Sequence, residues 1–278
     1  MSTLDLTFKK ECSEIITNNI STKDSGDIRT VWADDNSPAH TLKKFGMINS
    51  YDLSEEFPIT TIRPTAFKSC INEILWIWQK KSNRIADLNS KIWNQWELAD
   101  GTIGKAYGYQ LGKKHIYKDG VFDQVDRILK DLKETPNNRR MVTNMYNHEE
   151  LHEMALYPCA YSLTFNVTAG KLNCILNQRS QDMLVANGWN VTQYAVLMHM
   201  FAQVSNLEVG KLIHCVADAH IYDRHVPLVE ELLKREPYPA PKFNINKDIK
   251  NFYEFTENDF ELVDYQTHPQ IKNIPVAK

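Results

Sequence analysis

The strongest constraint on how this chain folds is the alternation between Leu156 and Asn177. Ser162, Thr164 and Asn166 alternate with Leu163, Phe165 and Val167, and after Ala169-Gly170 the residues Leu172, Cys174 and Leu176 alternate with Asn173, Ile175 and Asn177. A period of two on either side of a short Gly-containing turn predicts a β-hairpin, because successive strand side chains point to opposite faces. Such a hairpin brings Cys159, near its start, close to the segment after its second strand. That segment is the polar run Gln178-Arg179-Ser180-Gln181-Asp182. A guanidinium beside a thiol favours the thiolate, the nucleophilic form. An enzyme reading of the chain starts there.

The flanking segments supply a scaffold. Phe8, Cys12, Ile15 and Ile16 recur at helical spacing, predicting an amphipathic helix over 4–19 that Asp24 to Gly26 breaks. Arg29 to Trp32 reads as a short strand, Thr41 to Ile48 as a second, and Phe57 to Pro64 as extended chain punctuated by prolines. Phe67, Ile71, Ile74, Leu75 and Trp78 make one apolar stripe over 67–79, and Val121, Val125, Ile128, Leu129 and Leu132 predict a helix over 121–132. A helix over 190–206, a strand over 209–218 running on towards Tyr222, a helix over 226–233 and a strand over 261–265 complete the pass. Pro237, Pro239 and Pro241 exclude a helix between the last two. The reading is one compact α/β domain over 1–278, with strand order left open.

Composition removes several classes of function. A formal net charge of -3 and the lack of a basic, aromatic stripe argue against nucleic acid as the main ligand. No apolar run approaches the roughly 20 residues that span a bilayer, and Met1 to Asp5 lack the marks of a signal peptide. The five cysteines are scattered without metal-ligand spacing, so no metal is expected and a reducing cytoplasm is the simplest location.

Each polar candidate has a plain alternative. Glu73 lies beside the apolar stripe, either reaching water at its edge or lining a cleft with a perturbed pKa. Trp93 and Trp96 suit core or interface packing as well as a ligand platform, and the glycines over 101–108 match no phosphate loop. Arg29 alone reads as a surface charge. Arg139-Arg140 is either a solvated pair or an anion clamp. His220 is present for a Cys-His protease, but Asp218 to Tyr222 carries no protease signature. Taken together, Arg29, Arg139, Arg140, Arg179, Ser180, Asn190, His220 and Tyr222 suit a phosphorylated, hydrogen-bonding ligand such as a nucleotide.

These residues, in this order, resemble the thymidylate synthase family over nearly the whole chain. The resemblance is carried by Pro158-Cys159, Gln178-Arg179-Ser180 with Asp182, Asn190, and Asp218-Ala219-His220-Ile221-Tyr222. It is supported by Phe57-Pro58, Glu73 to Trp76, Trp93 to Trp96, Tyr107-Gly108, Arg139-Arg140 and the tail from His268 to Ala277. It implies an α/β (α+β) fold, a large mixed β-sheet covered by helices, and a homodimer formed through the sheet face. It also implies reductive methylation of dUMP to dTMP with 5,10-methylenetetrahydrofolate as co-substrate. Cys159 would add to uracil carbon 6, and Arg179, Arg29, Ser180 and, from the neighbouring subunit, Arg139 and Arg140 would hold the phosphate. Asn190 would read the uracil edge, with Gln178 beside Arg179 in the nucleotide site. His220 and Tyr222 would hold the ribose and Asp182 the base. Glu73 would organise proton traffic, and Tyr107 would help remove the carbon 5 proton. Trp93, Trp96, Asp182, Ala186 and Ala277 would border the folate.

The departures cluster around the folate. Ala186 stands where the family carries glycine, Gly188-Trp189 where it carries Pro-Phe, and Val216-Ala217 where it often has a glycine pair. Ile62 stands in place of a lysine, and the chain ends in Lys278 rather than an apolar residue. A looser folate lid, expected from Trp189 and Lys278, would admit water and favour a pyrimidine nucleotide 5-hydroxymethylase. A noncatalytic nucleotide- or RNA-binding homologue is the alternative of another class, disfavoured by the presence of Cys159, Arg179 and Asn190 together.

Overall fold

The computed structural model describes residues 1–25 and 28–278. In chain order its elements are α1 (Thr3–Asn18), β1 (Thr41–Asp52), α2 (Phe67–Trp78), α3 (Gly108–Gly112), β2 (His115–Tyr117), β3 (Gly120–Phe122), α4 (Gln124–Glu134), β4 (Val142–Asn144), β5 (Ala160–Thr168) and β6 (Lys171–Asp182). They are followed by α5 (Asn187–Val204), β7 (Glu208–Tyr222), α6 (Val226–Lys234), β8 (Lys242–Ile245) and β9 (Phe260–Val263). Five strands form the main sheet in the order β1-β7-β6-β5-β4. Its β6–β7 pair is parallel and its other pairs antiparallel. The sheet is mixed, with helices against it, as expected.

The predicted hairpin is β5–β6. Ala169 and Gly170 both take positive φ, 50° and 77°, the combination that turns a chain within the right-handed twist of the strands it joins. Leu163, Phe165, Leu172, Cys174 and Leu176 enter the larger apolar core, which α2 and α5 complete. Helix α5 is apolar nearly all round and accordingly buried nearly all round. It carries the chain from the end of β6 back to the start of β7, the crossover that a parallel pair needs. A second core gathers Phe8, Cys12 and Ile15 of α1 with Val229 and Leu232 of α6 against Met47, Val216 and Ile221. Buried Asp5 ties α1 to the extended strip before α2, accepting from the Thr60 hydroxyl at 2.5 Å and the Thr61 amide at 2.7 Å.

Several expectations are corrected. Arg29 to Trp32 is no strand: Val31 and Trp32 make only isolated bridges, to Pro38 and Ala277. The helix expected from Val121 begins at Gln124, because Val121 pairs with Ile116 in the small β2–β3 sheet and Asp123 caps the helix, its side chain accepting from the Asp126 amide at 2.9 Å. The break expected over Asp24 to Gly26 runs into 26–27, outside the described residues. Among the described residues no helix is long and apolar enough to cross a membrane.

Among the described residues, no helix covers the opposite face of the main sheet. One row across it runs Val142, Thr164, Ile175, Ile213 and Ser50, and the next runs Asn144, Ser162, Asn177, Cys215 and Ile48. Ile48 is 71% exposed and Val142 50%. The parallel pair itself contains an irregularity between Leu172 and Cys174, which the Asn173 side chain closes by accepting from the Lys211 amide at 2.8 Å. Gly210 lies against that closure: a β-carbon there would stand 2.4 Å from Asn173 Oδ1 and 2.9 Å from the Leu172 carbonyl oxygen. Gly210→Ala is therefore expected to lower stability by about 1–3 kcal/mol, seen as a lower urea midpoint with an unchanged slope.

Candidate active site

Cys159 sits immediately before β5, half-buried, where the hairpin directs its two strand ends to one edge of the sheet. Its amide donates to the Tyr107 hydroxyl at 3.0 Å and its carbonyl accepts from the Arg179 amide at 3.0 Å. The Arg179 guanidinium donates to the carbonyl oxygens of Tyr157, at 2.7 Å, and Pro158, at 3.1 Å, which aims Nη2 at Cys159 Sγ, 3.7 Å away. Burial pushes the Cys159 thiol up, and Arg179 and then Tyr107 pull it back only in part. Arg179 favours the thiolate, as expected, while burial works against it.

Glu73 projects from α2 into the same region and is buried, which removes the reading in which it reaches water. Trp93 Nε1 donates to its Oε1 at 2.6 Å, Gln193 Nε2 donates to Oε2 at 2.7 Å, and Trp189 Nε1 also donates to Oε2. Burial raises the Glu73 carboxyl above its ordinary value, against the pull of Trp189, Trp93 and Gln193. Trp93 also packs against Trp96 and Tyr107, with ring centroids 5.2 Å apart in each pair. Tyr107 is buried, and burial raises its hydroxyl well above the ordinary range.

The parallel register places Ser180 opposite Asp218 and Asp182 opposite His220. His220 Nδ1 lies 2.9 Å from Asp218 Oδ1, and the His220 and Tyr222 rings meet edge to face at 5.2 Å, on one strand face as expected. Burial, then Asp182 and Cys159, push Tyr222 up to about 12, against a hydrogen bond from Thr30 and the charge of Arg29. Asp182 Oδ1 accepts from the Val185 amide at 3.0 Å and its carbonyl from the Ala186 amide, holding the turn into α5.

Asn190 lies in the first turn of α5. Its Oδ1 faces Gln178 Nε2 and its Nδ2 faces Gln193 Oε1, each at 3.4 Å. Gln178 is in turn 2.5 Å from Nε2 of buried His214, which burial keeps neutral by lowering its value to about 3. Ala277 bridges Trp32, while Val31 and Lys278 exchange two backbone hydrogen bonds of 2.9 Å. His225 Nε2 reaches the Pro275 carbonyl at 2.8 Å.

Arg139 and Arg140 are exposed, just ahead of edge strand β4, and within this chain no side-chain hydrogen bond or ion pair among the described residues links them to Cys159. Sequence reasoning missed Gln193 and His214. Gln193 stands three residues after Asn190 in a helix, a spacing that shares a face, which was the available signal; nothing local marks His214.

Fold and site together bring a cysteine thiol, a guanidinium and several hydrogen-bonding side chains to one end of the sheet, the arrangement of an enzyme site rather than of a packed core. The comparisons give the lineage. The model described as thymidylate synthase matches residues 7–277, and the chain belongs to the thymidylate synthase family. It is 46% identical to the thymidylate synthase of Bacillus licheniformis over 270 residues, 96% of each chain. It is 44% identical to thymidylate synthase 1 of Bacillus subtilis (strain 168), again over 270 residues and 96% of each. Among solved structures, the thermostable thymidylate synthase A from Bacillus subtilis matches with a TM-score of 0.94 at 42% identity, covering 99% of both chains.

Because Arg179 opposes the burial of Cys159, Arg179→Ala should raise the pH at which the thiol ionises. The expected result is alkylation by iodoacetamide slowed about tenfold at a fixed pH near 8, with its midpoint moved upward by roughly one pH unit.

Proposed function

We propose that this chain, acting over 1–278 as one catalytic domain, converts dUMP to dTMP by reductive methylation with 5,10-methylenetetrahydrofolate, releasing dihydrofolate. The observation that carries the reading is Arg179 held 3.7 Å from Cys159 Sγ, with the neighbouring Gln178 reaching Asn190 at 3.4 Å. A nucleophile, its cation and a two-way amide then surround one binding place.

Carbon 5 of uracil is a weak nucleophile, and addition of Cys159 to carbon 6 makes carbon 5 an enolate carbon. Burial raises the thiol, so Sγ gives its proton to solvent water as the S–C6 bond forms, and that bond breaks again, returning its electron pair to sulfur, before the product leaves. Arg179 stabilises the anion as it forms and, with Arg29 and Ser180, contacts the phosphate. Asn190 offers one donor and one acceptor, matching uracil O4 and N3–H together. His220 and Tyr222 hold the ribose, and Asp182 the base. Glu73 organises water and proton movement near O4, and the buried Tyr107 hydroxyl, against the Cys159 amide, assists removal of the carbon 5 proton.

The folate supplies the carbon and the hydride. The residues present suit it: Trp93 and Trp96 offer an aromatic wall, Ala186 and Ala277 small apolar borders, and Asp182 an acceptor for ring N–H groups. The uncovered sheet face supports a homodimer formed there, in which Arg139 and Arg140 reach the partner's phosphate cup. Their exposure without an ion-pair partner among the described residues fits that use.

The expectation of a loose lid is not supported. Trp189 is bonded to Glu73, and the tail is held by main-chain hydrogen bonds between Val31 and Lys278 and from the Ala33 amide to the Val276 carbonyl at 2.8 Å, which do not depend on the Lys278 side chain. Both observations favour exclusion of water, and so methylation over hydroxymethylation.

With dUMP and methylenetetrahydrofolate, the expected products are dTMP and dihydrofolate; 5-hydroxymethyl-dUMP without dihydrofolate would overturn the reading. Cys159→Ala should abolish turnover while dUMP binding persists within about tenfold, since the thiol acts in the covalent step. Mixing Cys159→Ala chains with Arg139→Ala/Arg140→Ala chains should restore turnover that neither shows alone, if the arginines act across a dimer.

A further inference from the structure

The geometry points to Trp189 as a positioning residue that holds Glu73 in place and favours its ionised form. The inference rests on the proposed reaction only for what the ionised carboxylate then does. Its own basis is the set of hydrogen bonds around Glu73.

Two donors meet Oε2, from Trp189 and Gln193, and one meets Oε1, from Trp93. An indole N–H donates more strongly to a carboxylate than to a neutral carboxyl. Gln193 is fixed by the Cys70 carbonyl and Asn190, so without the indole Oε2 would keep a single donor, Gln193. Trp189 therefore adds a hydrogen bond that favours the anion, as Trp93 does at Oε1.

The delivery of the indole is built into α5. Trp189 and Gln193 lie one turn apart on the face turned to α2, and Gln193 Nε2 also donates to the Cys70 carbonyl at 3.2 Å. The Trp189 carbonyl, in turn, lies 3.6 Å from Cys70 Sγ. The titratable groups facing Glu73 are Cys70 on its own helix, Tyr107 from the start of α3, and Tyr194 from α5, with Cys159 beyond Tyr107. Burial raises Cys70, Tyr107 and Tyr194, so none of them sets a charge against the carboxyl in the acid range. In the proposed reaction the carboxylate that Trp189 favours orients water at O4.

The test compares the pH dependence of wild type, Trp189→Phe, Glu73→Gln and the double variant. Loss of a hydrogen bond to a buried anion should move the acidic limb of kcat/KM upward by about one pH unit in Trp189→Phe. In the Glu73→Gln background, Trp189→Phe should move nothing, because any remaining limb there belongs to Cys159. Infrared difference spectra supply a reading that needs no turnover: the protonated-carboxyl band lost in Glu73→Gln should appear at higher pH in Trp189→Phe than in wild type. A Trp189→Phe enzyme with limb and band unmoved, or one that loses kcat equally at every pH, overturns the inference. Failure of the wild type to make dTMP would instead overturn the proposed reaction, and the infrared titration would still decide the role of Trp189.

Discussion

The parallel contact between β6 and β7 is the constraint on which the remaining site geometry depends. Its register sets Ser180 against Asp218 and Asp182 against His220. The antiparallel β5 on the other side of β6 brings the end of the Pro158-Cys159 segment to Arg179. Because side chains alternate strictly along a strand, a slip of one residue in either pairing would turn the polar set to the opposite face. The irregularity at Leu172/Cys174, closed by Asn173 over Gly210, is part of how that register is held.

Burial and hydrogen bonding oppose each other at Cys159 and at Glu73, and the source of the opposition differs. At Cys159 the opposing charge comes from one guanidinium, which is shared with two carbonyl oxygens, and the thiol stays above its ordinary value. At Glu73 the opposition is made of three neutral N–H groups, and burial likewise leaves the carboxyl above its ordinary value. A charge acts over distance, while an N–H donor acts only in contact and along its own direction.

The parts of this arrangement legible in the sequence are those carried by short periods. The β5–β6 hairpin shows in a period of two and a Gly turn, and α2 in a stripe at helical spacing. The start of α4 does not, because Val121 fits the stripe of Val125, Ile128 and Leu132, whereas Asp123 and the pairing of Val121 with Ile116 decide the boundary. The three donors on Glu73 come from residues 93, 189 and 193, and no local pattern joins positions so far apart. The upward push of burial on the Cys159 thiol is hidden for a related reason: neighbouring residues reveal a nearby cation, but the extent of desolvation depends on the whole packed core.

The uncovered sheet face has a consequence for how such a chain survives dilution. Ile48 of β1, Ile175 of β6 and Val142 of β4 present branched apolar side chains to water across the width of the sheet. A protomer that exchanges this surface for contact with another copy gains stability by mass action, in proportion to the logarithm of its own concentration. Newly made chains at low abundance would then be the least protected, and cellular dosage would become a determinant of how long each molecule lasts.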